Sequence, residues 1–166
     1  MSSRIGGVLR PGARRSADLE SAVRGIDKCR RGEWAEGLGL LAEAVSSPLR
    51  GSIPGLTYSY LGYGIAHREG RLQEGLTLCR HALKLEIFEP DNYVNLARTQ
   101  LLARDRAAAV RTVREGLRVD RLNEDLLALK ATLGVRRGPM LKFLPRKHPL
   151  NRALGRLRHG WLKAFR

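Results

Sequence analysis

Residues Arg104–Leu117 read RDRAAAVRTVREGL, and the same arrangement occurs twice earlier in the chain. The earlier copies are GEWAEGLGLLAEAV at Gly32–Val45 and GRLQEGLTLCRHAL at Gly70–Leu83. Each copy has a turn, then a helix with two small residues seven positions apart: Gly37 and Ala44, Gly75 and Ala82, Ala109 and Gly116. The offsets between copies are 38 and 34 residues, and periods in this range are typical of helical solenoid repeats.

The spacing of small residues has a packing reason. Small residues let neighbouring helices approach closely, and the larger apolar residue that follows each of them fills the remaining gap. One helical hairpin cannot bury its own apolar face, so such units stack. The composition agrees, because 43% of the residues are hydrophobic and only 5% are aromatic, which favours helix packing over a β-sandwich.

The repeats resemble the tetratricopeptide (TPR) family, and the third repeat fits best. In YVNLARTQLLARDRAAAVRTVREGLRVD, Tyr93 stands at the first-helix aromatic position, and Asn95–Ala97 match the family's Asn-Leu-Gly/Ala step. The resemblance covers about residues 18–121. It implies an all-α fold, a right-handed solenoid of three helical hairpins. The following run, RLNEDLLALKATLGV, predicts a capping helix that begins after Asn123 as N-cap.

Charge divides the chain into three parts. Residues 1–16 hold four arginines and no acid, residues 17–134 are nearly neutral, and residues 135–166 hold ten Lys or Arg and no acid. We therefore expect a basic and disordered arm at 1–16, the solenoid with its capping helix at 17–134, and a basic C-terminal extension at 135–166. Two basic ends on a neutral body indicate a negatively charged partner surface.

The end of the extension predicts an amphipathic helix. Pro149 suits a first helical turn, and one apolar stripe follows it: Leu150, Leu154, Leu157, Trp161 and Phe165. Three roles stay open for this helix: lying on an anionic membrane, binding nucleic acid, or packing on its own solenoid. In the first two roles, the residues expected at the anionic surface are Arg146, Lys147, Arg152, Arg156, Arg158, Lys163 and Arg166.

The TPR resemblance also implies a binding site, since the family holds a peptide or helix in the concave groove lined by the first helix of each unit. Counting in the family's pattern places eight residues there: Ala22, Ile26, Tyr60, His67, Arg68, Val94, Arg98 and Leu101. One subfamily clamps a partner's C-terminal carboxylate with a Lys and an Asn on the first unit. Ala22 and Ile26 replace those residue types here, which argues against such a clamp, although Arg68 and Arg98 are suited to one anionic group.

No motif indicates catalysis. The four histidines have no metal-ligand spacing, and the chain contains no phosphate-binding or nucleophile motif. Cys29 and Cys79 are far apart and are expected to be small buried residues in a reducing compartment. No apolar run reaches transmembrane length. The Arg- and Ser-containing start also fits a mitochondrial-type presequence, but a basic arm is the preferred interpretation.

The sequence therefore favours a cytoplasmic, bacterial, non-catalytic adaptor without cofactor, metal or small-molecule substrate. Its partner would be a protein segment in the groove, and the basic tail would contact an anionic surface. The competing hypothesis is an RNA- or ribosome-associated protein that binds through its basic ends. A third is docking on a membrane surface through the C-terminal amphipathic helix.

Overall fold

The computed structural model describes residues 11–47 and 53–134, with side chains from Ser16 onward. The chain divides at Leu133 into two units, and the helices described belong to the first, Met1–Leu133. Within the described ranges there are no strands. The helices are α1 (Pro11–Arg30), α2 (Trp34–Ser46), α3 (Gly55–Glu69), α4 (Leu72–Leu85), α5 (Pro90–Leu102), α6 (Arg106–Val119) and α7 (Glu124–Thr132).

The helices pair into three hairpins, α1 with α2, α3 with α4 and α5 with α6, and α7 packs on the last hairpin. Short turns close the first two hairpins at glycines with positive φ, Gly32 at 83° and Gly70 at 71°. L-residues with a Cβ rarely adopt this conformation, so glycine is favoured there, although the third hairpin has Arg104 at 60° in the equivalent place. Consecutive hairpins stack, with α3 against α5 and α2 against α3. The predicted all-α helical-hairpin solenoid with a capping helix is confirmed.

The small residues lie where two helices of a hairpin touch. A Cβ added to Gly62 on α3 would lie 2.7 Å from the carbonyl oxygen of Gly75 on α4. A Cβ on Gly75 would collide with the backbone of Gly62 in return. In the first hairpin, a Cβ on Gly37 would lie 3.0 Å from the carbonyl oxygen of Gly25, and in the third the fully buried Ala109 takes the place of Gly37 in the repeat. These contacts set the distance between paired helices.

Apolar clusters fill the space between successive hairpins. Ile26, Leu41 and Ile65 belong to the cluster that joins the first two hairpins. Leu76, Cys79 and Leu96 join the second hairpin to the third. At the last junction, α7 contributes Leu126, which is fully buried.

Buried polar contacts also link the second and third hairpins. The side-chain amide of Asn95 on α5 donates to Ser59 Oγ on α3 at 3.1 Å. Within α5, Thr99 Oγ1 donates to the carbonyl of Asn95 at 2.8 Å. Asn95, Ser59 and Thr99 are almost inaccessible to solvent. Burying an amide without its hydrogen bonds costs stability, so this contact favours the observed alignment of α3 and α5.

Asn123 and the two cysteines behave as predicted. Asn123 Oδ1 accepts from the backbone N–H of Leu126 at 3.0 Å, which confirms the N-cap of α7. Both cysteines are free and buried. Burial raises the pKa of the Cys29 thiol to about 11 and that of Cys79 to about 12. These thiols are therefore protonated at neutral pH and serve packing.

The structure changes one predicted boundary. Helix α1 begins at Pro11, inside the arm predicted at residues 1–16. A proline at the first helical position explains the early start, because its fixed φ suits a helix and its missing N–H is not needed there. The centre of the linker between α2 and α3 lies outside the described residues, as do the basic extension at 135–166 and its predicted amphipathic helix.

Replacing Gly75 by alanine tests the close approach of α3 and α4. We expect Gly75→Ala to lower the free energy of unfolding by about 1–2 kcal/mol, because overpacking outweighs the gain in helix propensity. Gly39→Ala is the matched control. Gly39 is helical and exposed, and an added Cβ would meet nothing within 4 Å, so we expect a small stabilisation. Urea unfolding followed by circular dichroism measures both, and equal effects would contradict the packing role.

Candidate functional site

One face of the stack is identified by contacts between hairpins that are not neighbours. Arg30 at the end of α1 reaches Asp91 at the start of α5, with 2.8 Å between the guanidinium and the carboxylate. In a curved stack, alternate repeats come closest on the concave side. We name this side the inner face. Its members lie on the first helices α1, α3, α5 and α7, with Trp34 from α2: Arg30, Trp34, Tyr60, Tyr63, His67, Asp91, Arg98 and Asp125.

Tyr60 hydrogen-bonds to both residues of the Arg30–Asp91 pair on the inner face. Its hydroxyl lies 3.2 Å from both Arg30 Nε, which donates to it, and Asp91 Oδ2, which accepts from it. The Arg30 guanidinium lies 5.7 Å from the centre of the Tyr60 ring. Burial raises the pKa of Tyr60 to about 12, and Asp91 raises the pKa of Arg30. Three hairpins therefore meet at one hydrogen-bonded, charge-paired cluster.

An aromatic cluster follows at the middle of the inner face. Tyr63 and His67 lie four residues apart on α3, and their rings stack with centroids 5.5 Å apart and an interplanar angle of 13°. Trp34 meets Tyr63 edge-on at 5.4 Å. The Arg98 guanidinium of α5 lies 5.9 Å from the Tyr63 ring centre, within the range of a cation–π interaction. This cluster presents flat apolar rings beside a cation.

The last contact of the inner face reaches the capping helix. Arg98 donates to Asp125 Oδ1 at 2.8 Å and so joins α5 to α7. Both arginines of the inner face, Arg30 and Arg98, thus already hold a carboxylate of the same chain. The charges of these two arginines are balanced by those of Asp91 and Asp125, so this part of the inner face is close to neutral.

Exposed apolar side chains extend the inner face at both ends. Val23 and Leu19 precede Arg30 by seven and eleven residues on α1, which places them on its side of the helix, and they are 54% and 41% exposed. Leu102 follows Arg98 by four residues on α5 and is 38% exposed. Apolar surface therefore flanks the aromatic centre on α1 and α5.

The predicted groove residues divide into two groups. Ala22, Ile26 and Val94 are buried and pack in the core, so they offer a partner almost no surface. On α1 the exposed position is Val23, one residue from the predicted Ala22, because a step of one residue turns the side chain through about 100°. Of the remaining predicted residues, Tyr60 is buried, Arg98 and Leu101 are half-buried, and His67 and Arg68 are exposed.

Four members of the inner face were not predicted to line the groove: Arg30, Trp34, Asp91 and Asp125. Two of them carried a usable signal, since Asp91 and Asp125 are 34 residues apart, which is the repeat period. They occupy the same place in successive units, and each forms a salt bridge with an arginine. The predicted contact residues of the basic tail, from Arg146 to Arg166, lie outside the described residues.

Neither a metal-binding cluster nor a membrane span is found in the part of the chain that the structure describes. No three His, Cys, Asp or Glu side chains among residues 16–47 and 53–134 are arranged to hold a metal ion. No helix in these ranges is both long and apolar enough to cross a membrane.

Comparison with known proteins gives the fold. The first TPR domain of human RPAP3 matches with a TM-score of 0.60 at 10% identity, covering 72% of this chain and 91% of that one. A complex of the TPR2B domain of yeast Sti1 with pHsp70 matches at 0.59 and 16% identity, covering 74% and 99%. The first TPR of Spaghetti (RPAP3) bound to the HSP90 peptide SRMEEVD matches at 0.59 and 10% identity, covering 72% and 92%.

The described helices therefore have the fold of a TPR domain, as the repeat pattern predicted. No protein-family model and no curated protein matches the chain.

The contact between Arg30 and Asp91 can be measured by a double-mutant cycle of Arg30→Gln and Asp91→Asn. We expect a coupling energy of about 0.5–1 kcal/mol, because Arg30 is half exposed and solvent screens the pair. The pair of Arg31 with Asp27 on α1 is the matched control, and we expect at most about 0.5 kcal/mol there. Urea unfolding gives all four stabilities, and zero coupling for the first pair would contradict the tie between hairpins.

Proposed function

We propose that this chain is a non-catalytic adaptor that holds a segment of a protein partner on its inner face. The observation that carries the proposal is the exposed row of apolar and aromatic groups on the first helices, from Val23 through His67 to Leu102. Contact energy in protein interfaces is concentrated in aromatic and arginine side chains that can be desolvated. The Trp34, Tyr63, His67 and Arg98 cluster is of this type.

The similar structures support a peptide as the ligand class. RPAP3 was solved with an HSP90 peptide and Sti1 with pHsp70. A stacked helical solenoid offers a long and preformed surface, which suits an extended or helical segment more than a small molecule. The predicted groove residues that keep accessible surface, His67, Arg68, Arg98 and Leu101, are assigned to this contact.

The chemistry of the inner face favours a segment held by its side chains over one held by a terminal carboxylate. Ala22 and Ile26, where one subfamily has polar clamp residues, are apolar and buried. Arg30 and Arg98 are each paired with an aspartate. A partner carboxylate that bound Arg30 or Arg98 would have to displace Asp91 or Asp125, which costs part of the energy it gains.

The basic extension supplies the second candidate function. Residues 135–166 carry ten Lys or Arg and no acid, which favours an anionic surface such as RNA, a ribosome or a membrane. In the adaptor proposal this extension makes an auxiliary contact. In the alternative it provides most of the affinity.

Capture of partners from cell lysate with the full chain tests the proposal. The inner-face variant combines His67→Ala with Leu102→Ser. The control variant combines Gln73→Ala with Leu122→Ser, and all four of these side chains are exposed in the wild type. We expect the same protein to bind the wild type and the control and to lose at least about tenfold in affinity for the inner-face variant. Excess SRMEEVD peptide should not displace it.

Salt and nuclease separate the two functions. Binding through phosphate contacts weakens steeply as salt rises, whereas binding of an apolar segment barely responds. Capture that survives high salt and nuclease but fails in the inner-face variant supports the adaptor. If nuclease or high salt abolishes capture, and the inner-face variant captures as much as the wild type, the function belongs to the basic ends.

A further inference from the structure

A cavity of about 650 Å³ opens where the start of α3 meets the loop between α4 and α5. Its volume is in the range of ordinary ligand pockets. Its walls are mostly apolar and include two carboxylates, and none of them belongs to the inner face. The lining residues are Pro54, Leu56, Leu85, Glu86, Ile87, Phe88 and Glu89.

The rim of this cavity consists of exposed apolar side chains. Phe88 is 79% exposed, and Leu85 and Ile87 are about half exposed. Three such residues within four positions form a contiguous apolar patch on the described surface. Patches of this kind on a folded domain generally mark a contact with another molecule.

The loop that carries the rim is held in place by hydrogen bonds. Tyr93 Oη donates to the carbonyl of Ile87 at 2.9 Å, and the side-chain amide of Asn92 donates to the carbonyl of Glu86 at 3.0 Å. Glu86 Oε2 accepts from the N–H of Leu56 at 3.1 Å and ties the loop to α3. A fixed loop lowers the entropic cost of binding.

The charge around the cavity is opposite to that of the chain. The described residues that line it include Glu86 and Glu89 but no Lys or Arg, in a chain of net charge +15. Among the described residues, Glu86 and Glu89 pair with no cation. Two carboxylates beside an apolar rim are complementary to a cationic partner.

We propose that this cavity and its rim bind a basic amphipathic segment of a partner protein. An apolar side chain of the segment enters the cavity, its neighbours cover Phe88 and Ile87, and its Lys or Arg residues pair with Glu86 and Glu89. A nucleic acid or an anionic membrane would be repelled by the two carboxylates.

Peptide binding to the full chain tests this site. The probes are a fluorescent amphipathic peptide of leucine and lysine and the same peptide with glutamate for lysine, titrated at low salt by fluorescence anisotropy. We expect the lysine peptide to bind at the cavity, and Phe88→Ser should weaken its binding about tenfold, as loss of a central aromatic contact does. Any binding of the glutamate peptide reflects attraction to the basic ends of a chain of net charge +15, and Phe88→Ser should leave it unchanged. Glu89→Gln, which keeps an acceptor for the helix cap, should weaken binding of the lysine peptide about threefold and reduce its salt dependence.

Leu122→Ser is the matched control, since Leu122 is 82% exposed and lies outside the cavity. It should leave binding unchanged. Because Phe88 is exposed, its variant should keep the wild-type melting temperature, and Ile87→Ser provides a second variant with the same expected loss.

Three results would overturn the proposal. The first is an equal loss of lysine-peptide binding in Phe88→Ser and Leu122→Ser. The second is a loss of peptide binding in His67→Ala but not in Phe88→Ser, which would place the peptide on the inner face. The third is a dimer, detected by sedimentation, that Phe88→Ser dissociates, which would make a second copy of this chain the occupant. Since the cavity and the inner face have separate variants, failure of one proposal is distinguishable from failure of the other.

Discussion

The distance between paired helices is the constraint on which the rest of this structure depends. At Gly62 and Gly75 the backbones of α3 and α4 touch, and a single methyl group on either residue would push the helices apart. This close approach lets Leu76, Cys79 and Leu96 fill the junction with the next hairpin. The stacking of hairpins, and with it the curvature that brings Arg30 to Asp91, follows from that junction.

The inner face is a consequence of this stacking and not of any one repeat. Apart from the Tyr63–His67 stack within α3, its contacts join different helices: α1 to α5 through Arg30 and Asp91, α3 to α5 through Tyr63 and Arg98, and α5 to α7 through Arg98 and Asp125. Because the two arginines are already paired, the face offers aromatic and apolar surface more than free charge. Glu86 and Glu89, which pair with no cation among the described residues, lie instead at the cavity between α3 and the α4–α5 loop, whose described lining contains no Lys or Arg.

The fold was predictable from the sequence because close packing restricts residue size at fixed intervals, as at Gly37, Gly75 and Ala109. The inner face was predictable only in part. Counting along a repeat identifies the right turn of a helix, yet an error of one residue exchanges the buried Ala22 for the exposed Val23. Pairs such as Arg30 with Asp91 join residues 61 apart in sequence, and their contact depends on how the hairpins stack. No local pattern encodes that geometry.

The most direct test of the adaptor account is site-specific photo-crosslinking in living cells. A photoreactive amino acid replaces His67, which is exposed on the inner face, and in a parallel experiment replaces Gln73, which is exposed on α4. We expect one discrete protein adduct from position 67 and none from position 73, with the crosslinked partner residues forming one contiguous segment. Equal crosslinking from both positions, or adducts of RNA alone, would contradict the assignment of the inner face as the binding site.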